Sequence, residues 1–285
     1  MTKDPFIIHR SLLFTVAYEM LGSAADAEDV VQEAWLRWSD ADQTQVHDPR
    51  AYLVRTVTRV ALNHMRTLSR RREEYVGEWL PEPLLTSADM GGDFELKQNV
   101  SMAMLIVLET LGPTERAVFI LHDVFGMPHG EIAEAIGKSV AAVRQIASRA
   151  RQHVAARQSR KQVSQTEQRA VVERFLSALQ TGQLQQLMEV LAPDVVLTAD
   201  GGGLVPAAKA PVHGAARIAG LLVQPNRQVS ATCVWLNGEP GARINIDGAT
   251  AAVSFEVKDG LITRIYAVAN PRKLTRLDRL VELCR

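Results

Sequence analysis

The stretch MPHGEIAEAIGKSVAAVRQIASRARQH, residues 127–153, constrains the fold most, because its spacing suits two short helices packed around a sharp turn. Ala133 is small enough to sit where the two helices touch, and Gly137, four residues later, can adopt the left-handed conformation of the turn. Val143 and Ile146 return to the shared core from the second helix, Pro128 starts the first helix, and Ser139 is placed to cap the second. The predicted unit is a helix-turn-helix whose second helix exposes Arg144, Gln145, Ser148, Arg149, Arg151 and Gln152, side chains that suit base edges and phosphates. A helical hairpin with a solvated basic face is the plainer reading of the same residues.

A chain of 285 residues is too long for one such motif and implies two or three domains with cores of their own. Its composition, 47% hydrophobic and 22% charged, is that of a globular protein. No segment approaches an apolar membrane span, and the N-terminal stretch is interrupted by Asp4, Pro5, His9 and Arg10. Cys233 and Cys284 are too few and too far apart in sequence for a disulfide framework or a zinc site, which predicts a cytoplasmic protein without metal or other cofactor. The formal net charge of +0 conceals an uneven distribution: residues 138–174 hold nine Lys or Arg against Glu167 and Glu173, and residues 50–72 hold seven Arg and no acid. Two basic helical segments fit two separate contacts with a polyanion.

The first third reads as helical. Leu12, Leu13, Val16, Ala17, Met20 and Leu21 share one face, and Gly22 ends that helix. A second helix over 26–39 turns Ala27, Val30, Val31, Ala34, Trp35 and Trp38 inward and presents Asp26, Glu28, Asp29, Gln32 and Glu33. Carboxylates in a first turn are also favoured by the helix dipole alone. Pro49 opens a third helix with a buried stripe of Leu53, Val57, Val60, Ala61, His64 and Leu68, in which His64 reads as a core histidine rather than a ligand. On its other side, steps of four, four, three and four bring Arg55, Arg59, Asn63, Arg66 and Arg70 onto one face. Arginines around a single asparagine suit phosphate contacts flanking a base contact; a merely solvated face would mix in acids to pair with the arginines. Residues 79–93, WLPEPLLTSADMGGD, break the periodicity with two prolines and two glycines. They form a linker between a helical domain over 1–78 and the helix-turn-helix domain over 94–160, where Pro113 and Thr114 start the helix ahead of the motif.

Residues 166–285 change character. An amphipathic helix over 169–180 carries Val171, Val172, Phe175, Leu176 and Leu179, and a short one follows over 184–191. Strand-like runs at 195–199, 231–237, 243–246, 249–257 and 261–269 are separated by Gly, Pro or Asp, with Asp259-Gly260 a strong hairpin signal. Helices followed by a curling antiparallel sheet predict an α+β cone closing on a pocket.

The three helical segments, in this order, resemble the extracytoplasmic-function sigma factors of bacterial RNA polymerase: SAADAEDVVQEAWLRW at 23–38 is similar to the polymerase-binding helix, residues 48–74 to the helix that melts and reads the minus-10 element, and residues 127–151 to the minus-35 reader. The last 120 residues or so resemble a SnoaL-like, NTF2-type cone, and the whole chain the SigJ-type subgroup that fuses the two. Three motifs support the narrower likeness: WLPEP with Trp79, Pro81 and Pro83; Asp200-Gly201-Gly202-Gly203; and Asn270-Pro271-Arg272-Lys273-Leu274. The subgroup's usual Asp at the third place of the last motif is Arg272 here, a charge reversal, and Asn63 stands where the family often has Asp.

The resemblance implies all-α sigma region 2 and region 4 domains followed by the cone, with core polymerase and promoter DNA as partners, no membrane, and no catalytic chemistry. Asp26, Glu28, Asp29, Gln32 and Glu33 would meet polymerase; Arg55, Arg59, Asn63, Arg66, Arg70, Arg144, Gln145, Ser148 and Arg149 would meet DNA. It further implies a pocket for a flipped base, expected between the loop at 43–48 and Asn63, and a cone that regulates the sigma domains through Trp79, Pro81, Pro83, Asp200, Gly201, Gly202, Asn270, Pro271, Lys273 and Leu274. Two other readings stay open. One is a one-component regulator whose cone binds a small molecule, which leaves the acidic and arginine helices without a role. The other is an enzyme using Asp194, Asp200, His213 or Tyr266, which form no compact signature; the Asp-Gly-Gly-Gly run lacks the Lys and helix of a phosphate-binding loop.

Overall fold

The computed structural model describes residues 4–88, 100–157 and 163–284, with residues 68–73 described by backbone alone. Helix α1 (Pro5–Leu21) begins with the Asp4 carboxylate accepting the Phe6 amide at 2.8 Å and stops at Gly22, whose φ of 67° continues no helix. Helices α2 (Ala24–Ser39) and α3 (Pro49–Glu73) pack on it, and a 3-10 turn (Gln43–Gln45) links them. The predicted apolar face of α1 is buried, and so are Phe14, Thr15 and Tyr18 beyond it. A helix enclosed all round needs a cover for each face, and the second one comes from residues far along the chain: the Tyr18 hydroxyl donates to the Glu82 carbonyl at 2.6 Å, and the Cys284 amide donates to Thr15 Oγ1 at 3.1 Å. His64 is half-buried with its Nε2 3.7 Å from an Asp26 carboxylate oxygen, not in the core as expected.

Helices α4 (Met102–Glu109), α5 (Pro113–Phe119, continued by a π-turn at Ile120–Val124), α6 (His129–Ile136) and α7 (Val140–Arg157) form the second helical unit. The helix-turn-helix is α6 and α7: Gly137 has φ 67°, the Ser139 hydroxyl accepts the Ala142 amide at 3.2 Å, and Ala133, Val143 and Ile146 are buried. The unit does not keep a core to itself. One apolar cluster runs from Phe6 and Leu13 of α1 through Val57 of α3 to Ile120, Ile132 and Val143, so both helical units share it. Buried Arg116 ties the junction: its guanidinium pairs with Glu109 at 2.8 and 3.0 Å and donates to the Met20 carbonyl at 2.9 Å.

The C-terminal domain is α8 (Gln165–Thr181), α9 (Leu184–Val190), β1 (Leu191–Asp200), β2 (Val212–His213), α10 (Ala215–Leu222), β3 (Val229–Leu236), β4 (Glu239–Ile246), β5 (Ala249–Lys258) and β6 (Leu261–Val268). The sheet order is β2-β1-β6-β5-β4-β3. It is mixed rather than antiparallel, because β1 runs parallel to β6. The sequence pattern could not give this, since the pairing joins strands more than sixty residues apart and alternation is the same in both directions. The antiparallel remainder is local: Asn237-Gly238, Asp247-Gly248 and Asp259-Gly260 all have both residues at positive φ, the geometry of tight two-residue hairpins. Phe175, Leu197, Ile244, Phe255 and Ile265 belong to the apolar cluster between one face of the sheet and the helices. Among the described residues, no helix is long and apolar enough to cross a membrane, and no cluster of three or more His, Cys, Asp or Glu is placed to hold a metal ion.

The other face of the sheet covers the linker and α4: Tyr266 and Val268 pack with Leu80 and Met102, and Leu236 and Ala252 with Leu277. At its edge Glu239 faces Gln168 and Glu256, and burial pushes the Glu239 carboxyl up to about 7. A carboxyl whose folded pKa exceeds its unfolded one favours the fold when protonated, so this contribution is full below about pH 4.5 and lost as pH rises to about 7. Glu239→Gln should therefore raise the stability at pH 8 by about 1–2 kcal/mol, discounted for partial exposure, and change little at pH 4.5. Thermal unfolding of both proteins at the two pH values checks this; equal gains at both would refute the titration.

Candidate functional site

Helix α3 places Arg59, Asn63 and Arg66 in solvent on one face, with Arg66 Nη1 3.4 Å from the Asn63 amide oxygen; the Arg70 side chain lies outside the described residues. Arg55 is half-buried over the Tyr52 ring. The acids missing from the stripe in sequence come from another element. Arg59 donates to the carbonyls of Ala135 (3.0 Å) and Glu134 (2.8 Å) at the end of α6, and Arg55 lies 3.5 Å from the Glu134 carboxylate. Beside this contact a cleft of about 580 Å³ opens between the loop over 41–48, Tyr52 and Arg55 of α3, and Met127, Glu131 and Glu134. Asn63 does not line it. Eight residues beyond Arg55, it stands about 12 Å farther along the helix.

Arg144, Gln145, Ser148 and Arg149 are exposed along α7, as are Arg151 and Gln152, and Arg151 is paired with Asp123 at 2.6 Å. On α2, Asp29, Gln32 and Glu33 are exposed, Glu33 pairing with Arg37 one turn on. Asp26 and Glu28 are half-buried: Asp26 faces His64, and Glu28 is shared between Arg10 (2.6 Å) and Arg276 of the C-terminal tail (3.5 Å).

The three motifs assigned to the cone contact come together. Asp200, fully buried at the end of β1, accepts hydrogen bonds from the Tyr75 hydroxyl (2.5 Å), the Leu80 amide (3.0 Å), the Gly202 amide (3.0 Å) and Lys273 Nζ (2.7 Å). Lys273 also donates to the Leu80 carbonyl at 2.5 Å and sits 4.1 Å from the centre of the Trp79 ring. A carboxylate out of water is tolerable only when paired and hydrogen-bonded, and these four donors do that. Asn270 donates to the Tyr75 hydroxyl, and Gly202 (φ 59°) leaves no room for a Cβ against Asn270. Burial and the Asp200 carboxylate drive the Tyr75 hydroxyl pKa upward, so it acts as a donor. Pro81 and Pro83 are buried, whereas Gly201 and Pro271 shape the two loops and Leu274 packs beside Leu80 and Leu85. Arg272 is exposed and donates its amide to the Asn270 side chain, which leaves Lys273 as the cation of the contact.

Sequence reasoning missed the rest of the junction. Buried Glu82 accepts the amides of Ala24 (2.8 Å) and Ala25 (3.4 Å) at the start of α2, bonds that oppose the upward push of burial on its carboxyl. Asn237, in a hairpin of the C-terminal domain, donates to the Tyr18 hydroxyl at 2.6 Å and accepts the Leu84 amide at 3.1 Å. Residues 79–88 are thus held on both sides, with Leu85 bridged to β3 and the Thr86 amide on the Trp235 carbonyl. In the sequence Asn237 ends a strand-like run over 231–237; its place in a tight turn and its reach to α1 come from the structure. Asp194 and His213 are exposed at the far edge of the sheet, Asp200 is in the linker contact, and Tyr266 bonds Glu256 under α4; the four do not converge.

A model of sigma-70 region 2 matches residues 6–71, and one of sigma-70 region 4 matches residues 101–154. The chain is 38% identical over 295 residues to the ECF RNA polymerase sigma factor SigJ of Mycobacterium tuberculosis, covering 96% of this chain and 94% of that protein. It is 33% identical over 276 residues to the probable ECF RNA polymerase sigma factor SigI of the same organism, covering 94% and 93%. The crystal structure of the M. tuberculosis SigJ matches with a TM-score of 0.74 at 35% identity, over 95% of this chain and 97% of that one. The chain belongs to the extracytoplasmic-function RNA polymerase sigma factors, with an α+β domain fused behind sigma regions 2 and 4.

Proposed function

We propose that the chain directs promoter recognition by RNA polymerase in the cytoplasm, with α2 docking on the core enzyme, α3 and α7 on promoter DNA, and the C-terminal domain regulating both from within the same chain. The division into 1–78, 79–93, 94–160 and 166–285 belongs to this reading; its boundaries at 93 and 160 lie outside the described residues. The observation that carries the regulatory part is the convergence of linker and both loops of the C-terminal domain on buried Asp200, supported by Arg276 reaching Glu28 on the acidic helix. A tethered domain docks at high effective concentration, so weak contacts suffice to hold it. The helix-covered face of the sheet is filled by apolar side chains, and this reading assigns it no ligand.

The test is transcription by the purified chain with core polymerase on a cognate promoter. Asp29→Arg with Glu33→Arg, two exposed carboxylates, should weaken core binding by tenfold or more, which is about 1.4 kcal/mol or above. Asn63→Ala should leave core binding intact and lower promoter opening. Unchanged assembly of the double variant with core would remove α2 from the polymerase interface.

A further inference from the structure

Three elements meet beside helix α7. His122 and Asp123 come from the π-turn behind α5, His129 opens α6, and Arg144 and Arg151 stand two turns apart on α7, which puts both on one face with Ser148 between them. The His122 and His129 ring centres are 4.0 Å apart, and Arg151 Nε lies 2.6 Å from the Asp123 carboxylate. His122 Nδ1 faces the Met127 carbonyl at 2.9 Å, and a carbonyl only accepts, so that nitrogen holds its hydrogen. We propose that binding of promoter DNA to α7 draws a proton from solvent onto His129, which makes this imidazole a phosphate contact that forms only in its charged state. The proposal rests on the reading of α7 as a DNA surface.

The surrounding charges set the direction. His129 is half-buried, and burial first, then the positive charge of His122, Arg144 and Arg151, lowers its pKa below the usual histidine value of 6.5, with Asp123 acting the other way. The ring is therefore neutral in the free chain at pH 7. A proton on one of two adjacent imidazoles disfavours a proton on the other, and Asp123 is already engaged by Arg151. A DNA phosphate beside Arg144 and Arg151 reverses this balance, because its negative charge offsets the arginines and gives the imidazolium a partner. A group whose pKa is higher in the complex than in the free chain takes up a proton as the complex forms. Affinity is then greatest below the free-chain pKa and falls as pH rises through the pKa of the complex. Because a phosphate is the partner, the gain is independent of base sequence.

Binding of a promoter duplex by the full-length chain assembled with core polymerase, measured at pH 6 and pH 8 at one ionic strength, tests this; titration of the polymerase itself is common to all variants. The ratio of the affinity at pH 6 to that at pH 8 should be about threefold to tenfold larger for the unaltered chain than for His129→Gln, which takes up no proton. His129→Arg, charged at both values, should bind more tightly than the unaltered chain at pH 8. His153→Gln, on α7 itself and bonded to Thr110 at 2.8 Å, should keep the unaltered ratio. An unaltered ratio in His129→Gln, its loss in His153→Gln instead, or a His129→Arg variant no tighter at pH 8 would overturn the proposal. Arg144→Ala with Arg149→Ala separates the two layers. If this double variant leaves promoter affinity unchanged, α7 is not a DNA surface and His129 has no phosphate to meet; if affinity falls while His129→Gln keeps the unaltered ratio, the DNA surface stands and the proton uptake alone fails.

Discussion

Asp200→Ala should release the C-terminal domain from the linker, the largest single effect we expect at this junction. The substitution removes the acceptor of four donors at once and leaves Lys273, mostly buried between Trp79 and Tyr75, without its carboxylate. Breaking a buried pair by deleting one partner costs about 3–5 kcal/mol, far more than the pair contributes over an apolar replacement, because the remaining charge is stranded. Amide exchange at Leu80, whose N–H donates to Asp200, should accelerate on the order of a hundredfold or more. Transcription with core polymerase should change in the same variant, since the proposed regulator is no longer held in place. Asp200→Asn, which keeps an acceptor but loses the charge, should fall between the two. Native exchange at Leu80 together with native transcription would dismiss both the contact and the regulatory role built on it.

Arg116→Met should be comparably damaging, for the same reason seen from the cation's side. Arg116 is 3% exposed, with burial bringing its guanidinium pKa down to about 10, and it bridges Glu109 to the Met20 carbonyl at the end of α1. Methionine fills much of the volume but takes the guanidinium away from the Glu109 carboxylate and the Met20 carbonyl, an expected loss of about 3 kcal/mol or more in chemical denaturation. Adding Glu109→Leu removes the carboxylate that Arg116 paired, and the double variant should recover most of the loss. A double variant as unstable as the single one would mean that the pair acts through geometry at the junction rather than through desolvated charge.

The amino-acid sequence alone determined the elements that rest on local rules. Gly22, Pro49, Gly137 and Ser139 mark helix ends because left-handed backbone, a missing amide and a capping hydroxyl each have few other uses. The four-four-three step of Arg55, Arg59, Asn63 and Arg66, the exposed row on α7 and the order of three helical segments were legible for the same reason: helical periodicity projects directly onto one face. Motifs also named Trp79, Asp200, Asn270 and Lys273, but spacing along a chain cannot say that Leu80 and Lys273, 193 residues apart, share one carboxylate. That was decided by tertiary structure, as were the parallel β1–β6 pairing, Asn237 on Tyr18, Glu82 at the start of α2 and Arg59 on the end of α6. Each of these joins a polar group to a partner supplied by a distant element, and which distant element arrives depends on the packing of whole apolar faces. The periodicity of any one segment carries no record of that packing.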